Sequence, residues 1–419
     1  ENANVFITCV MPLFADSRAD KLLLRWAMRR RSFLQTSLTL PLLALPRLAG
    51  AGEADFWHRV FATMPPTLAA HARNPEQRVQ IICQYRRKAS GARWHKTAWQ
   101  LTPKQWFSTA SVAKLPIALL ACERIAALGL DLSAQIGFNQ PPISGEWPAD
   151  EPDFEALQRT LRRIFTISEN PPFNRLYDFL GVDAMHERLM DLGYPSARLI
   201  SRMSPPVRDN TRTRAGRVLD GNGKLVDVFG ERVGRQRTFA FGDALAGQGF
   251  LQDDGTLNPG PHDFSRANFI ALTDSLQMLK AIVDPASVPK SQRWAIPEPM
   301  REQVLKIMAL MPRQSADPIY PEAEYPGGYG RFFILGDVKT RKPDSLRLTG
   351  KVGEAYGYLT DVEHITDTGS AWECLLSANI YVNADGIFND DRYEYESIGY
   401  PFLAALGRAV WQELNAKSD

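Results

Sequence analysis

The chain has 419 residues, of which 44% are hydrophobic and 23% charged, and this balance excludes an intrinsically disordered protein. Its length predicts two domains or one large composite domain. The first 51 residues hold seven of the 49 basic and three of the 47 acidic side chains, which leaves 42 basic against 44 acidic ones. The part that is expected to fold therefore has no basic field for nucleic acid.

The N-terminal segment 1–51 has the features of an export signal. Three arginines at 29–31 precede a weakly apolar run, and small residues at 49–51 supply an A-x-A type cleavage site. The modest hydrophobicity favours a twin-arginine signal, with a short basic amphipathic helix as the alternative. Residues 1–27 lie upstream of a candidate start at Met28 and are set aside as an upstream extension. We expect a periplasmic or extracellular mature protein, and no later run approaches the length of a membrane span.

The hydrophobic pattern of the mature chain begins with strands and continues with helices. Residues 77–87 form a β-branched apolar run of strand type, with residues 94–99 as the hairpin partner. Residues 111–130 are apolar on nearly all sides, which predicts a helix buried on every face. Apolar spacing and end signals predict further helices at 155–165, 174–180, 183–192, 267–283 and 302–311.

The stretch 205–263 is rich in Gly, Asp, Arg and Asn, and residues 219–226 carry the turn chemistry of a hairpin. The DGNG sequence at 220–223 resembles part of a calcium loop, but the later acidic ligand position is not filled, so a hairpin tip is favoured. Strand patterns return after residue 331, and the chain closes with an amphipathic helix. These strands are predicted at 332–335, 346–352, 357–365 and 372–382, and the helix at 400–414.

This order predicts an α/β (α+β) fold, in which an antiparallel sheet flanked by helices is built from both chain ends around an inserted helical domain. The α/β domain takes residues 52–104 and 327–419. The helical domain takes residues 105–326, with an insertion at about 205–263.

Metal and disulfide chemistry have little support in the sequence. Of Cys9, Cys83, Cys122 and Cys374, the first is lost with the signal, so the mature chain can form at most one bridge. The six histidines show no metal-ligand spacing. We expect no metal and no cofactor, while a Cys83–Cys374 pair stays open.

Three short motifs follow one another along the chain. SVAK at 111–114 is S-x-x-K at the start of the predicted buried helix, SEN at 168–170 is S-x-N between two helices, and KVG at 351–353 is K-x-G in a strand. Each motif alone is weak, and three chance matches in an unrelated α/β protein are the alternative. Their order and their structural contexts together point to one active site.

The set resembles the signature of class A β-lactamases and penicillin-binding proteins, S-x-x-K with S-D-N and K-T-G. The resemblance extends over most of the mature chain, including SENPPFNRLYDFLG at 168–181 and KVGEAYGYLTDVEHI at 351–365. It implies a β-lactamase/transpeptidase-like fold. It also implies an active-site serine hydrolase that forms an acyl-enzyme with a small-molecule or peptide substrate, first of all a β-lactam or a related amide or ester.

Ser111 and Lys114 suit a nucleophile and its base on physical grounds. A serine hydroxyl needs an adjacent base, and positions i and i+3 share a helix face, so Lys114 is expected beside Ser111. Burial and the nearness of Lys351 would lower the pKa of Lys114. The Ser111 N–H at a helix start can stabilise an oxyanion. The resemblance implies that the backbone N–H of Glu354 is the second oxyanion donor.

The resemblance also implies roles for the other motif residues. Ser168 would relay a proton to the leaving atom, Asn170 would bind the acyl side chain, and Lys351 would supply positive potential. Gly353, together with Glu354, would line the substrate-binding edge of the sheet. The alternatives are helix capping for Ser168 and Asn170 and a solvated strand lysine for Lys351.

The sequence departs from the family at the deacylation step. Class A enzymes carry a glutamate after S-x-N that activates water, but residues 197–212 contain no glutamate and only Asp209 as a carboxylate. Asp209, Asp227 and Glu231 are the candidate substitutes. We therefore expect acylation followed by slow release.

Three further departures bear on the substrate. Glu169 replaces the usual aspartate, Val352 replaces the hydroxyl residue of K-T-G, and the insertion at 205–263 is expected to wall or cover the site. A D-alanyl-D-alanine peptidase of the penicillin-binding type, or an esterase, is the alternative on the same fold. A non-catalytic periplasmic binding protein is the alternative from another class, because fold does not establish activity.

Overall fold

The computed structural model of the protein describes residues 51–89, 92–102, 105–140, 152–204, 209–237, 244–338 and 341–416. The predicted export signal lies outside the described residues, apart from its last position. The helices are α1 Ala51–Thr63, α2 Pro66–His71, α3 Lys114–Ala127, α4 Leu157–Thr166, α5 Asn170–Leu180, α6 Val182–Asp191, α7 Leu272–Val283, α8 Glu298–Met308 and α9 Tyr400–Ala416.

The described strands vary in length from two to ten residues. They are β1 Gln80–Arg87, β2 His95–Trp99, β3 Gln135–Phe138, β4 Phe154–Ala156, β5 Arg212–Thr213, β6 Gly216–Leu219, β7 Leu225–Phe229, β8 Arg232–Val233, β9 Leu245–Ala246, β10 Gly249–Leu251, β11 Leu257–Pro259, β12 His262–Asp263, β13 Leu346–Ala355, β14 Tyr358–Asp367, β15 Trp372–Tyr381 and β16 Ile387–Phe388.

The main sheet joins both ends of the chain. Its order is β13-β14-β15-β1-β2 and every neighbouring pair is antiparallel, with Cys83 of β1 opposite Leu376 of β15. Helices α1 and α9 cover one face, where Trp57 and Leu406 belong to the same buried cluster as Ile81. The predicted mixed fold with an antiparallel sheet built from both ends is therefore confirmed.

Helix α3 occupies the centre of the other layer. Every residue from Lys114 to Ile125 is buried, as the continuous apolar pattern predicts. Leu119 shares a core cluster with Leu161 of α4, Leu176 of α5 and Leu276 of α7. The start of α3 is consequently held in place from several sides.

The middle of the chain also contains strands, which the helical patterns do not predict. Strands β3, β4, β6 and β7 form a sheet of order β4-β3-β6-β7. The predicted hairpin is the β6–β7 pair, and the Asp220 carboxylate accepts the N–H groups of Asn222 and Lys224 at 2.9 Å each. This carboxylate therefore organises the hairpin tip.

The prediction of a strand at 332–335 is wrong, because this segment forms a turn. Ile334 has a φ of 70°, and the N–H groups of Phe332 and Phe333 bond to the buried Asp361 carboxylate at 3.1 and 2.9 Å. A side chain of the main sheet thus takes the hydrogen bonds that a neighbouring strand would otherwise take.

The predicted insertion is joined to the loop that follows β15. Strand β10 pairs with β11 and, in parallel, with β16. The ring of Phe264, directly after the insertion, packs against Tyr356 and Phe388, with centroids 5.4 and 5.0 Å apart. Aromatic packing therefore ties the insertion to the end of the main sheet.

The described cysteines, Cys83, Cys122 and Cys374, are buried free thiols, so Cys83 and Cys374 do not form a bridge. Within the described ranges, none of the helices has the length and apolar character that a membrane crossing requires. The same ranges contain no cluster of His, Cys, Asp and Glu suited to a metal ion.

Candidate active site

Ser111 lies in the single turn Ala110–Ala113 that precedes α3, directly beside the edge strand β13. Gly353 makes this close approach possible, since a Cβ atom at that position would lie 2.4 Å from Thr109 O and 3.0 Å from Ser111 N. Any larger residue would push the strand away from the helix start. The glycine of K-x-G thus brings the backbone of β13 to the serine of S-x-x-K.

Lys114 is fully buried, and its amine makes several short contacts at the start of α3. Its Nζ lies 2.9 Å from Ser111 Oγ and 2.7 Å from Asn170 Oδ1, and it also donates to the backbone carbonyl of Ser168. The amide and carbonyl oxygens can only accept hydrogen bonds. A neutral amine that donates its two hydrogens to them keeps its lone pair for the hydroxyl of Ser111.

The electrostatic surroundings favour this neutral form. Burial, and in second place the charge of Lys351, lower the pKa of Lys114 well below its ordinary value, although Glu169 opposes the shift. Burial also lowers the pKa of Lys351 to about 7, with Arg331 adding to the effect. Both lysines therefore lose their protons more readily than solvated lysines do, and Lys351 titrates near neutrality.

Ser168 connects the two lysines. Its Oγ accepts a hydrogen bond from Lys351 Nζ at 2.8 Å and lies 3.3 Å from Lys114 Nζ, and its backbone φ is 66°. The helix-capping alternative is not observed, because the N-cap of α5 is Glu169, which makes no side-chain cap bond. Lys351 is not a solvated strand lysine either, since only 1% of its surface is exposed.

Glu169 points away from this cluster. Its carboxylate accepts hydrogen bonds from Arg163 at 2.8 Å and from Tyr320 at 2.8 Å. The replacement of aspartate by glutamate in S-x-N therefore anchors the loop before α5 and leaves Ser168 and Asn170 facing the lysines.

A buried acidic pair lies behind Lys351 on β14. Arg331 contacts Glu363 at 3.1 Å, and Asp361 accepts from the turn described above. Burial raises the pKa of both carboxyls, and the positive charges of Arg331 and Lys351 oppose the rise. This pair partly balances the buried charge of Lys351.

Ser111 lies at the junction of two cavities. Cavity A, of about 630 Å³, is lined by Ser111, Asn170, residues 201–204 and Asp391. Cavity B, of about 570 Å³, is lined by Ser111, Ser168, Val352 and several aromatic residues. Glu354 lines both. A substrate that reaches Ser111 can therefore place one portion in each cavity.

The candidate substitutes for the missing glutamate line neither cavity. Asp209 accepts the backbone N–H of its neighbour Thr211 at 2.9 Å. Asp227 is buried at 3.7 Å from Arg124, and Glu231 forms an ion pair with Arg212. The 201–204 segment that lines cavity A carries no carboxylate.

The sequence reasoning missed several residues of the cavity walls. Asp391, Tyr393 and Tyr395 reach cavity A from the segment between β15 and α9, and Asn389 of that segment is tied to β10 through the carbonyl of Leu251 at 2.9 Å. Only the unusual length of this segment could have drawn attention to it. The insertion thus supports a wall of cavity A through this contact.

A buried helix that starts with S-x-x-K, packed against a sheet edge that carries K-x-G, defines the β-lactamase and penicillin-binding class of fold. The model of the β-lactamase enzyme family matches residues 92–372, which is most of the chain. The protein therefore belongs to the β-lactamase enzyme family and is a β-lactamase-like hydrolase. The resemblance inferred from the three motifs is confirmed. None of the curated proteins matches the sequence.

Several solved structures are similar to the chain. A β-lactamase from Sphaerobacter thermophilus is 14% identical with a TM-score of 0.48, covering 86% of this chain and 98% of its own. A β-lactamase from Burkholderia ambifaria is 14% identical with a TM-score of 0.47, covering 83% and 98%. A protein described as PBP-A is 13% identical with a TM-score of 0.46, covering 85% and 95%.

Proposed function

We propose that the protein is an active-site serine hydrolase that works through an acyl-enzyme, with Ser111 as nucleophile and Lys114 as base. The observation that carries the proposal is the buried amine of Lys114, which lies 2.9 Å from Ser111 Oγ. Its other short contacts include the Ser168 carbonyl oxygen and Asn170 Oδ1, which can only accept hydrogen bonds. A positioned base of lowered pKa is what a serine hydroxyl needs in order to attack.

The proton follows the chain of contacts described above. Ser111 Oγ attacks the substrate carbonyl carbon as its proton passes to Lys114 Nζ. The oxyanion accepts the N–H groups of Ser111 and Glu354. As the bond to the leaving atom breaks, Ser168 Oγ gives its proton to that atom and takes the proton held by Lys114. Lys351 holds Ser168 in place at 2.8 Å and supplies positive potential.

The substrates we propose are β-lactams or related amides and esters, with slow release of the acyl group. Slow release is supported by the absence of a carboxylate in the 201–204 wall and by the engagement of Asp209, Asp227 and Glu231 elsewhere. Penicillin-binding peptidase or esterase activity is the second candidate, and the same absence favours it. A non-catalytic binding protein is less well supported, because binding alone has no use for a buried amine beside a serine.

Intact-mass analysis after incubation with benzylpenicillin tests the proposal. We expect the mass of one acyl group to be added and to persist for minutes, and we expect Ser111→Ala to stay unmodified while keeping its melting temperature. With a chromogenic cephalosporin, stopped-flow absorbance should show a burst of one equivalent followed by a slow phase. Steady turnover at tens per second, a typical enzymic kcat, would contradict slow release.

A fluorophosphonate probe extends the test beyond β-lactams. Labelling of the natural chain but not of Ser111→Ala supports the nucleophile even if penicillin does not react. Labelling that persists in Ser111→Ala would refute the assignment, and the absence of any labelling would favour the binding protein.

A further inference from the structure

Cavity B is the side of the site on which a leaving group departs. Ser168, the proton donor to the leaving atom in the proposed mechanism, lines cavity B and does not line cavity A. The 201–204 wall, which lines cavity A and not cavity B, remains for the acyl portion, and Asn170 lies between the two because it lines both. The residues of cavity B therefore select the chemistry of the leaving group.

The described lining of cavity B is acidic and contains no lysine or arginine. Its carboxylates are Asp337, Glu354 and Glu396. Arg408 neutralises Asp337 through two contacts of 2.7 and 2.6 Å. Among the described residues, no salt bridge joins Glu354 or Glu396 to a cation, while the amine of Lys351 is hydrogen-bonded to Ser168 Oγ at 2.8 Å. Cavity B therefore holds two carboxylates that have no cationic partner of their own.

Aromatic rings accompany these carboxylates. Tyr329, Phe332 and Tyr400 line cavity B, and the Phe332 and Tyr400 ring centroids are 5.2 Å apart. The Tyr400 hydroxyl donates to the Glu354 carboxylate. Aromatic faces beside carboxylates bind ammonium groups through the ring quadrupole and through charge attraction.

The same surroundings disfavour an anionic leaving group. Val352 lines cavity B in place of a hydroxyl residue, so it offers no hydrogen bond to a carboxylate. Partial burial raises the pKa of Glu354, and the nearby charge of Glu396 adds to the rise while Tyr400 opposes it. A cation placed between the two carboxylates would relieve this repulsion, whereas an anion would increase it.

We propose that cavity B selects substrates whose leaving group carries a positive charge, such as an alkylammonium, with Glu354, Glu396 and Tyr400 as specificity-determining residues. This inference rests on the proposed acyl transfer to Ser111. Within the β-lactams, amides and esters of that proposal, it ranks substrates with a cationic leaving group above those that carry a carboxylate on the leaving side, which are expected to acylate more slowly.

Three phenylacetyl thioesters that differ only in their thiol test the proposal. Thiocholine is cationic, 3,3-dimethylbutanethiol is its neutral isostere, and 3-mercaptopropionate is anionic. The first equivalent of released thiol, followed with a disulfide indicator, reports acylation even where release of the acyl group is slow. We expect the thiocholine ester to acylate about tenfold faster than the neutral one, and the anionic ester to be slowest.

Glu396→Gln should reduce the advantage of thiocholine to about threefold or less, because one of the two charges is lost. Glu302→Gln removes the same charge from an exposed position on α8 outside both cavities. It should leave the relative acylation rates of the three thioesters unchanged. Raising the salt concentration should weaken the preference in the natural chain. Ser111→Ala supplies the background rate of thiol release.

The outcomes separate the two proposals. Equal acylation by the three esters, an inverted order, or no acylation by any of them while a fluorophosphonate still labels Ser111, overturns the cationic selection alone. A chain that neither fluorophosphonate nor thioester modifies overturns the proposed function itself.

Discussion

Replacing Lys114 by methionine removes the proposed base and keeps an unbranched side chain that is one heavy atom shorter. The amine is fully buried and lies 2.9 Å from Ser111 Oγ, so its loss removes the base that directly contacts the nucleophile. A positioned base contributes about 10²- to 10⁴-fold, which is about 3 to 5 kcal/mol of the acylation barrier. We expect labelling of Ser111 by a fluorescent penicillin or a fluorophosphonate to slow by that factor.

The stability of this variant should change less than its reactivity. Methionine leaves Asn170 Oδ1 and the Ser168 carbonyl without their donor, at about 1 to 3 kcal/mol each, but it also removes a desolvated amine. A melting temperature within a few degrees of the natural value would show that the fold persists. Lys306→Met, at an exposed lysine of α8, is the matched control for loss of a lysine.

Lys114→Arg separates the role of the proton acceptor from that of positive charge. Arginine stays protonated in proteins, so it keeps the charge but cannot accept the proton of Ser111. We expect a loss as large as that in the methionine variant. Labelling of either variant at close to the natural rate, measured as a second-order rate constant, would refute the assignment of the base.

Three further results are expected. The labelling rate should show a bell-shaped dependence on pH. It should fall on the acid side because Lys114 gains a proton, and on the basic side near pH 7 because Lys351 loses its charge. A flat profile from pH 5 to 9 would contradict this. Gly353→Ala should slow labelling about 100-fold by pushing β13 from the serine, and an unchanged rate would show that the close approach is dispensable. For a chain that begins at residue 28, we propose twin-arginine export; changing Arg30 and Arg31 to lysine should leave the unprocessed form in the cytoplasmic fraction, whereas unchanged processing would indicate the general secretory route.

The elements with a continuous local pattern were predictable from the sequence. The buried helix at 111–130, the strands at 346–352, 357–365 and 372–382 and the closing helix all have counterparts in the structure. Apolar periodicity encodes them, because each element buries a face or its whole surface in one core. The 332–335 segment has the same apolar character, yet it forms a turn, since a carboxylate distant in sequence takes its N–H groups.

The residue types of the candidate site could also be found from the sequence, because S-x-x-K places a serine and a lysine on one helix face. Local spacing could not decide how the three motifs meet. Their meeting depends on the close approach of the Gly353 backbone to Thr109, and on the direction in which the Glu169 side chain points.

The cavity walls were decided by tertiary structure alone. Cavity B receives Glu354 from the edge strand β13, Tyr400 from the last helix and Glu396 from the turn before that helix. Cavity A receives Asp391 from a loop that is tied to the insertion. Such walls assemble from segments far apart in the chain. Their chemistry leaves no local pattern, because the packing that joins them is set by the whole core and not by neighbouring residues.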